Sequence, residues 1–447
     1  MSPGACVTVI GAGLAGAEAA WQLATRSLRV RLVEMRPARH TPAHHGGSFA
    51  ELVCSNSLKS DDPDTAAGLL KRELEDLGSL VMASARLHRV PAGAALAVDR
   101  ERFARGVTEA VESHPFVEVD RREAESLPET EATIVATGPL TSPAMESALS
   151  GLIGPARLSF FDAAAPIVDA ASVDRRVAFA ASRYGKGAGD DYLNLPLSRE
   201  EYEAFIGELL AARRVRAKEF EPAELFQACQ PIEEVARKGA DAPRFGAMKP
   251  VGLVDPRTGA RPWAAVQLRA ENRGRTAYNL VGFQTNLTFA EQRRVFRTLP
   301  GLARAEFLRY GVMHRNTFVD APRLLDPSLE LRGHPGIWFA GQLVGTEGYL
   351  EAAGTGLLAA VNVHAALAGR PPIVLPPETV LGALVRYATD PDTVDYQPMH
   401  ANFGLLPPLD PPVKGKRARC AAYAERARLA MATCIAESAD MLPGGPR

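Results

Sequence analysis

Residues 7–34 read VTVIGAGLAGAEAAWQLATRSLRVRLVE. Val7, Val9 and Ile10 form the apolar run of a short buried strand, and Gly11, Gly13 and Gly16 follow at G-x-G-x-x-G spacing. An Ala-rich helix then leads to a second strand, VRLVE, which ends in Glu34. In such a unit Gly11 permits the tight turn, Gly13 lets a pyrophosphate approach the backbone, and Gly16 lets the helix pack on the strand. The helix N-terminus faces the phosphates and Glu34 accepts hydrogen bonds from ribose hydroxyls. The complete strand-turn-helix-strand unit falls within the ~30 residues expected. It predicts an adenine-dinucleotide site built from Gly11, Ala12, Gly13, Leu14, Ala15, Gly16 and Glu34.

Two distant segments extend this site. The strand ATIVATGP ends in Ala136, Thr137 and Gly138, and GIWFAGQLVGTEGYLEAAGTGLLAAVNVHAAL, residues 336–367, reads as strand, Gly-rich turn and helix. A second Gly-rich turn brings another helix N-terminus to the far end of an extended FAD, which favours FAD over NAD and adds Gly341, Gln342, Gly348 and Tyr349. The expected fold is α/β: a Rossmann-type FAD-binding domain, glutathione-reductase-like, from residues 1–155 and 325–447. An inserted α+β domain over 156–324 interrupts it.

The 447 residues exceed one ordinary core, and 46% apolar content supports full burial. MSPGACVTVIGAG lacks a basic stretch followed by an apolar one, and no apolar run approaches the ~20 residues of a membrane span. Cys6, Cys54, Cys229, Cys420 and Cys434 are odd in number and scattered, as suits reduced thiols in a cytoplasmic protein. With no CxxC and no Cys/His cluster, no zinc or iron–sulfur site is expected, and His40, His44 and His45 read as loop histidines. From Arg157 to Arg323 there are 26 Lys+Arg against 20 Asp+Glu, inside a chain of net charge -1. A basic middle on an acidic frame fits a polyanion-binding insert, although abundant arginine alone also explains it.

Residues 59–90 read as core helices, and RLHRVPAGAALAVDRERF as a hairpin leading into a helix. The insert reads as strands (FFDAAAPIV, RVAFAASRY), an amphipathic helix REEYEAFIGELLAARRVRAKEF, and further strands MKPVGLV, WAAVQLRAE and AYNLVGF. PPLDPPVKGKRARC is expected to be a loop before a final helix, AAYAERARLAMATCIAES.

VIGAGLAGAEAAW, ELVCSNSLKS, CQPIEEVARKG, MKPVGLVDPRTG, VQLRAEN, YNLVGFQTNL, FLRYGVMHRNTF, FAGQLVGTEGYLEAAGTGLLAA and NFGLLPPL are spread over nearly the whole chain. In this combination the sequence closely resembles the folate- and FAD-dependent tRNA uracil-5-methyltransferases, the TrmFO family. It departs at FQACQPIE, where the family more often has Glu-Gly before the cysteine. The resemblance implies a cytoplasmic enzyme forming 5-methyluridine in the tRNA T loop. Its carbon comes from 5,10-methylenetetrahydrofolate, FAD is carrier and reductant, and NADPH or NADH restores the reduced flavin. It also implies that Cys229 is the nucleophile and Cys54 the general base, and it points to a sister family that modifies the tRNA wobble uridine.

The chemistry calls for two such groups. Uracil C5 is a poor nucleophile until a thiolate adds to C6, and a base must then remove the C5 proton. Taken alone, each cysteine reads sooner as an inert buried thiol, the usual fate of cysteine, and only the resemblance reverses that; Cys6, Cys420 and Cys434 read as packing residues. His314, Arg315, Asn316 and Tyr349 are candidates for the folate and flavin face, since a ring stacks on pterin and Arg pairs with folate carboxylates. Lys414, Lys416, Arg417 and Arg419 are the candidate tRNA contacts, with Arg213, Arg214 and Arg216 as a second patch. Three other readings stay open: a nucleoside-binding methyltransferase, an FAD-dependent NAD(P)H oxidoreductase, and a tRNA-binding flavoprotein with another uridine modification.

Overall fold

The computed structural model describes residues 6–41, 43–128, 132–154, 157–163, 165–215, 230–311, 313–393 and 396–442, with the backbone alone for 157–163 and 313–315. Five parallel strands form one sheet in the order Ile337–Phe339, Ala132–Val135, Cys6–Ile10, Arg29–Val33, Val117–Asp120. From Val7 on, the apolar side chains of the three inner strands are buried on both faces, as a parallel sheet covered by helices requires, while Val117, Val119 and Ile337 on the edge strands are half-buried. Strands from both ends of the chain therefore lie side by side in one Rossmann-type sheet.

The helices Leu14–Thr25 and Tyr349–Leu367 make the tightest junction in this layer. A Cβ at Gly356 would lie 2.1 Å from the carbonyl oxygen of Ala15, so only glycine allows the two backbones to touch. The Tyr349–Leu367 helix is long and apolar enough to cross a membrane by length and composition, but 83% of its window is buried inside the protein. It serves as a core helix.

The second sheet has six antiparallel strands in the order Phe179–Ala180, Tyr192–Leu197, Ala264–Ala270, Ala277–Leu280, Ile167–Asp169, Phe307–Arg309. Helices including Arg199–Ala211 cover one face, with Tyr202, Phe205, Ile206 and Leu209 inward. Between the sheets, strand Arg157–Ala163 runs antiparallel to Met313–Val319, with Asn316 opposite Phe160. The chain thus leaves the first sheet and returns to it along one two-stranded ribbon.

Hairpin strands Arg89–Val90 and Ala95–Val98 precede helix Arg100–Glu112, and helices Ala66–Asp76 and Leu80–Leu87 join the main core. Three segments differ from expectation. MKPVGLV is a turn, because Pro250 has no N–H for a ladder and Gly252 has φ +84°. The amphipathic helix ends at Ala211, after which Arg214 bridges to Leu287. The last helix begins at Lys416 behind Gly415, so KRARC is its first turn rather than a loop, in keeping with the helix propensity of Lys, Arg and Ala. Cys6 is also corrected: it is exposed at the start of its strand. Cys420 is half-buried, and only Cys434 packs in the core.

Candidate functional site

A single cleft opens at the C-terminal ends of the parallel strands, where doubly wound folds bind ligands. Gly11, Gly13, Leu14, Ala15, Glu34, Gly138, Gly341, Gln342 and Tyr349 all line it, together with Cys54 and Asn316. Ala12 and Gly16 lie just beneath, and Gly348 caps the Tyr349–Leu367 helix without lining the cleft. Gly11 needs its positive φ of +95° to turn away from Ala136, whose carbonyl oxygen would lie 2.6 Å from an added Cβ. Gly13 and Gly138 differ: a Cβ at either would meet no protein atom within 4 Å. No protein atom closes in on these two cleft-lining positions.

Among the described residues six α-helices carry a side-chain cap on their first turn, from Thr65, Ser79, Asp99, Ser142, Ser198 and Thr379. The helices at Leu14 and Tyr349, which both begin at the cleft, carry none and start behind Gly13 and Gly348. Their first N–H groups are left for another acceptor, the arrangement that suits phosphate or carbonyl oxygens. Glu34 braces this end: it accepts from Ala12 N at 2.7 Å and from Arg36 N and Nε at 2.9 and 2.8 Å. Burial raises its pKa, but Arg36 and the two backbone N–H groups outweigh that and hold it below the usual carboxylate value.

The thiol sits at the other end. The Tyr349 hydroxyl accepts hydrogen bonds from Cys54 N at 2.9 Å and Ser55 N at 3.1 Å, and lies 2.9 Å from Cys54 Sγ. With both lone pairs engaged, its proton points to the sulfur. Burial, and then the charge of Cys54, push the Tyr349 pKa well above its ordinary value, so the phenol stays protonated. The charges of Arg100, Arg269 and Arg309 also act on Cys54. A phenol donor and three guanidinium charges thus act on this sulfur.

The Cys54 loop is held from the inserted sheet. Arg269, buried at the end of strand Ala264–Ala270, donates from Nε to Asn56 Oδ1 at 2.8 Å and from Nη2 to Ser55 Oγ at 2.6 Å. Arg100 bonds the Leu52 carbonyl and donates to Glu271 Oε2 at 2.7 Å. Sequence reasoning passed over Arg100, Arg269 and Glu271, because their partners lie far away along the chain; RLHRVPAGAALAVDRERF and WAAVQLRAE held the residues but not the pairing.

Asn316 is buried on the ribbon strand, and among the described residues its Oδ1 has no hydrogen-bond partner although Asn316 lines the cleft. His314 and Arg315 precede it, paired in register with Asp162 and Phe161. Cys229 and Arg216 lie outside the described residues. His44 also lines the cleft; burial, then Arg36, lower its pKa to about 4, which keeps it neutral while Nδ1 lies 2.6 Å from Thr41 Oγ1. Among the described residues no group of three or more His, Cys, Asp or Glu could hold a metal ion.

Lys414, Lys416, Arg417 and Arg419 are exposed, and among the described residues they make no ion pair. The last three occupy the first turn of the Lys416–Glu437 helix, where cations oppose the helix dipole. Arg213 and Arg214 are ion-paired with Glu291 at 3.4 Å and Glu234 at 2.5 Å.

A parallel sheet with a Gly-rich turn, interrupted by an antiparallel sheet, defines an FAD-binding flavoprotein fold. The solved structure of Aquifex aeolicus GidA shares it with a TM-score of 0.68 at 17% identity, over 97% of this chain and 76% of that one. The family described as Glucose inhibited division protein A matches residues 6–371. The methylenetetrahydrofolate–tRNA-(uracil-5-)-methyltransferase TrmFO of Moorella thermoacetica is 55% identical over 94% of this chain and 96% of its own length. That of Geobacter sulfurreducens is 56% identical over the same shares. The chain belongs to the TrmFO family.

Proposed function

We propose that this protein is a cytoplasmic methyltransferase that forms 5-methyluridine in the T loop of tRNA, with 5,10-methylenetetrahydrofolate as carbon donor. The observation that carries the reading is the Cys54 thiol, hydrogen-bonded to Tyr349, in the same cleft as the Gly-rich turn. The family supports the substrates, and the cleft supports FAD. Gly13 and Gly138 leave room that no protein atom fills, two uncapped helix ends face the cleft, and the Asn316 Oδ1 buried in its wall lacks a donor that a flavin or pterin N–H would supply.

Gly11, Gly13 and the amides of the Leu14–Thr25 helix would hold the pyrophosphate, with Glu34 at the adenosine ribose and Gly341, Gln342 and Tyr349 at the ring. When bound, FAD supplies the hydride and carries the one-carbon unit, and NADPH or NADH regenerates it. The remaining steps belong to the protein. The Cys229 thiolate adds to uracil C6 and pushes an electron pair toward C5, which forms the new bond to carbon. Cys54 then takes the C5 proton, and the returning pair expels the Cys229 sulfur. Tyr349 holds the Cys54 sulfur ready to act as that base. Lys414, Lys416, Arg417 and Arg419 contact tRNA phosphates, and His314, Arg315 and Tyr349 contact the folate.

The test is incubation with a T-arm RNA, labelled methylenetetrahydrofolate and either nicotinamide, followed by nucleoside analysis. Label is expected in 5-methyluridine, and Cys229→Ala is expected to lose it while RNA affinity stays nearly intact. Label absent from the wild-type reaction, or retained by Cys229→Ala, would overturn the assignment of activity or nucleophile respectively.

A further inference from the structure

The antiparallel sheet carries a chain of aromatic rings from its core to solvent. Phe205 and Phe283 have centroids 6.1 Å apart, Phe283 and Phe296 5.8 Å, Phe296 and Phe307 6.5 Å, in tilted or edge-on arrangements common in a core. Beyond Phe307 the geometry changes. Phe307 and Tyr310 are stacked at 5.3 Å with 14° between planes, and Tyr310 and Phe289 at 4.9 Å with 18°. The column ends in Phe289, at the start of helix Phe289–Phe296, with 54% of its surface exposed.

Near-parallel rings ending in an open face present the surface that a nucleobase completes, and stacking accepts any base. The surrounding charge suits the phosphates on either side. Arg293 donates from Nε and Nη2 to the Tyr310 hydroxyl at 3.0 and 2.7 Å and makes no ion pair among the described residues. Arg213, whose side chain is 79% exposed although its Nε lies 3.4 Å from Glu291, accepts through its carbonyl from Thr288 N, next to Phe289. The strand that carries Phe307 also sends a side chain toward the thiol site. Arg309, between Phe307 and Tyr310 in sequence, donates to the Ala43 carbonyl at 3.1 Å, and its charge acts on Cys54. Val215 N bonds Asn286 O at 2.8 Å and Ile232 N bonds Gln284 O at 2.7 Å. The described residues flanking the Cys229 segment are thereby pinned to the turn that leads into Phe289.

We propose that the Phe307, Tyr310 and Phe289 column is a stacking platform for an unpaired T-loop base next to the uridine being modified, with Arg293 and Arg213 on its phosphates. The inference rests on the tRNA methyltransferase reading. It explains how one uridine can be held out of a folded loop: a displaced neighbour gains a stacking partner in exchange for those it gives up.

The test uses T-arm RNA hairpins with 2-aminopurine at each unpaired loop position in turn, and three proteins: wild type, Phe289→Leu and Phe289→Trp. At one position beside the target uridine, wild-type protein is expected to quench the fluorescence. Phe289→Leu should lose the quench and raise KM for RNA about tenfold, with kcat less affected and the flavin spectrum unchanged; Phe289→Trp should restore both. No quench at any position with the wild type would overturn the platform. So would a Leu variant with wild-type KM and quench, or one whose main defect is loss of a dimer in sedimentation, which would make the face a contact between copies. Methylation is scored alongside: a wild type that transfers no carbon to RNA defeats the functional reading, whereas intact methylation with an indifferent Phe289 defeats only the platform.

Discussion

Among single residues, Tyr349 does more than line a wall. Its hydroxyl is the shared partner of two backbone N–H groups and one sulfur, so Tyr349→Phe takes this acceptor from both amides and this donor from Cys54. Each buried group left unpaired costs about 1–3 kcal/mol. Loss of the donor disfavours the thiolate, so alkylation of Cys54 by iodoacetamide should slow at neutral pH. The rising limb of the kcat profile should move to higher pH. An unshifted profile with normal flavin content would show that the phenol is not what readies the thiol. Both residues could be picked out from their own surroundings in the sequence, Cys54 within a polar run and Tyr349 after a Gly-rich turn. Their contact spans 295 positions, and no local spacing encodes it.

At the scale of elements, strand Ala264–Ala270 reaches across from the inserted sheet and fixes the loop bearing Cys54. Arg269 does this with two separate donors of one planar group, a task that the single ammonium of Arg269→Lys cannot repeat. The substitution is expected to destabilise the protein by about 1–3 kcal/mol in denaturant titrations. It should also lower kcat more than it changes KM for RNA, because the loop moves while the RNA-facing surface does not. Equal loss in both would place Arg269 in substrate binding. Elements with a local signature were legible: the Gly-rich turn and its flanking strands, the Arg89 to Glu112 hairpin and helix, and the strands over WAAVQLRAE and AYNLVGF. Those misread had their ends decided elsewhere. Ala211 ends a helix whose polar periodicity continues, because the next residues bridge to Leu287, and Lys416 begins one where the prolines upstream suggested a loop.

For the whole molecule, the two ends of the chain are joined by buried polar contacts as well as by apolar packing. Glu73, on helix Ala66–Asp76, accepts from Val380 N and Leu381 N at 2.7 and 2.9 Å and so caps a helix three hundred residues away. Burial raises its pKa to about 7 despite these two bonds. A carboxyl raised in the folded state favours folding most below its unfolded value near 4.5, and that contribution is lost as pH rises through about 7. Denaturation midpoints should therefore fall across this window, and Glu73→Gln, which removes the titration but keeps an acceptor for only one of the two amides, should flatten the dependence at a lower overall stability. An identical slope in the variant would assign it to other groups. Translation order adds a further constraint. The strand Ile337–Phe339 and the helix seated on Ala15 leave the ribosome long after the turn at Gly11. A nascent chain, or one truncated before Gly336, therefore has one lip of the cleft without the other, so yellow colour in an expression culture reports product that extends past the second Gly-rich turn.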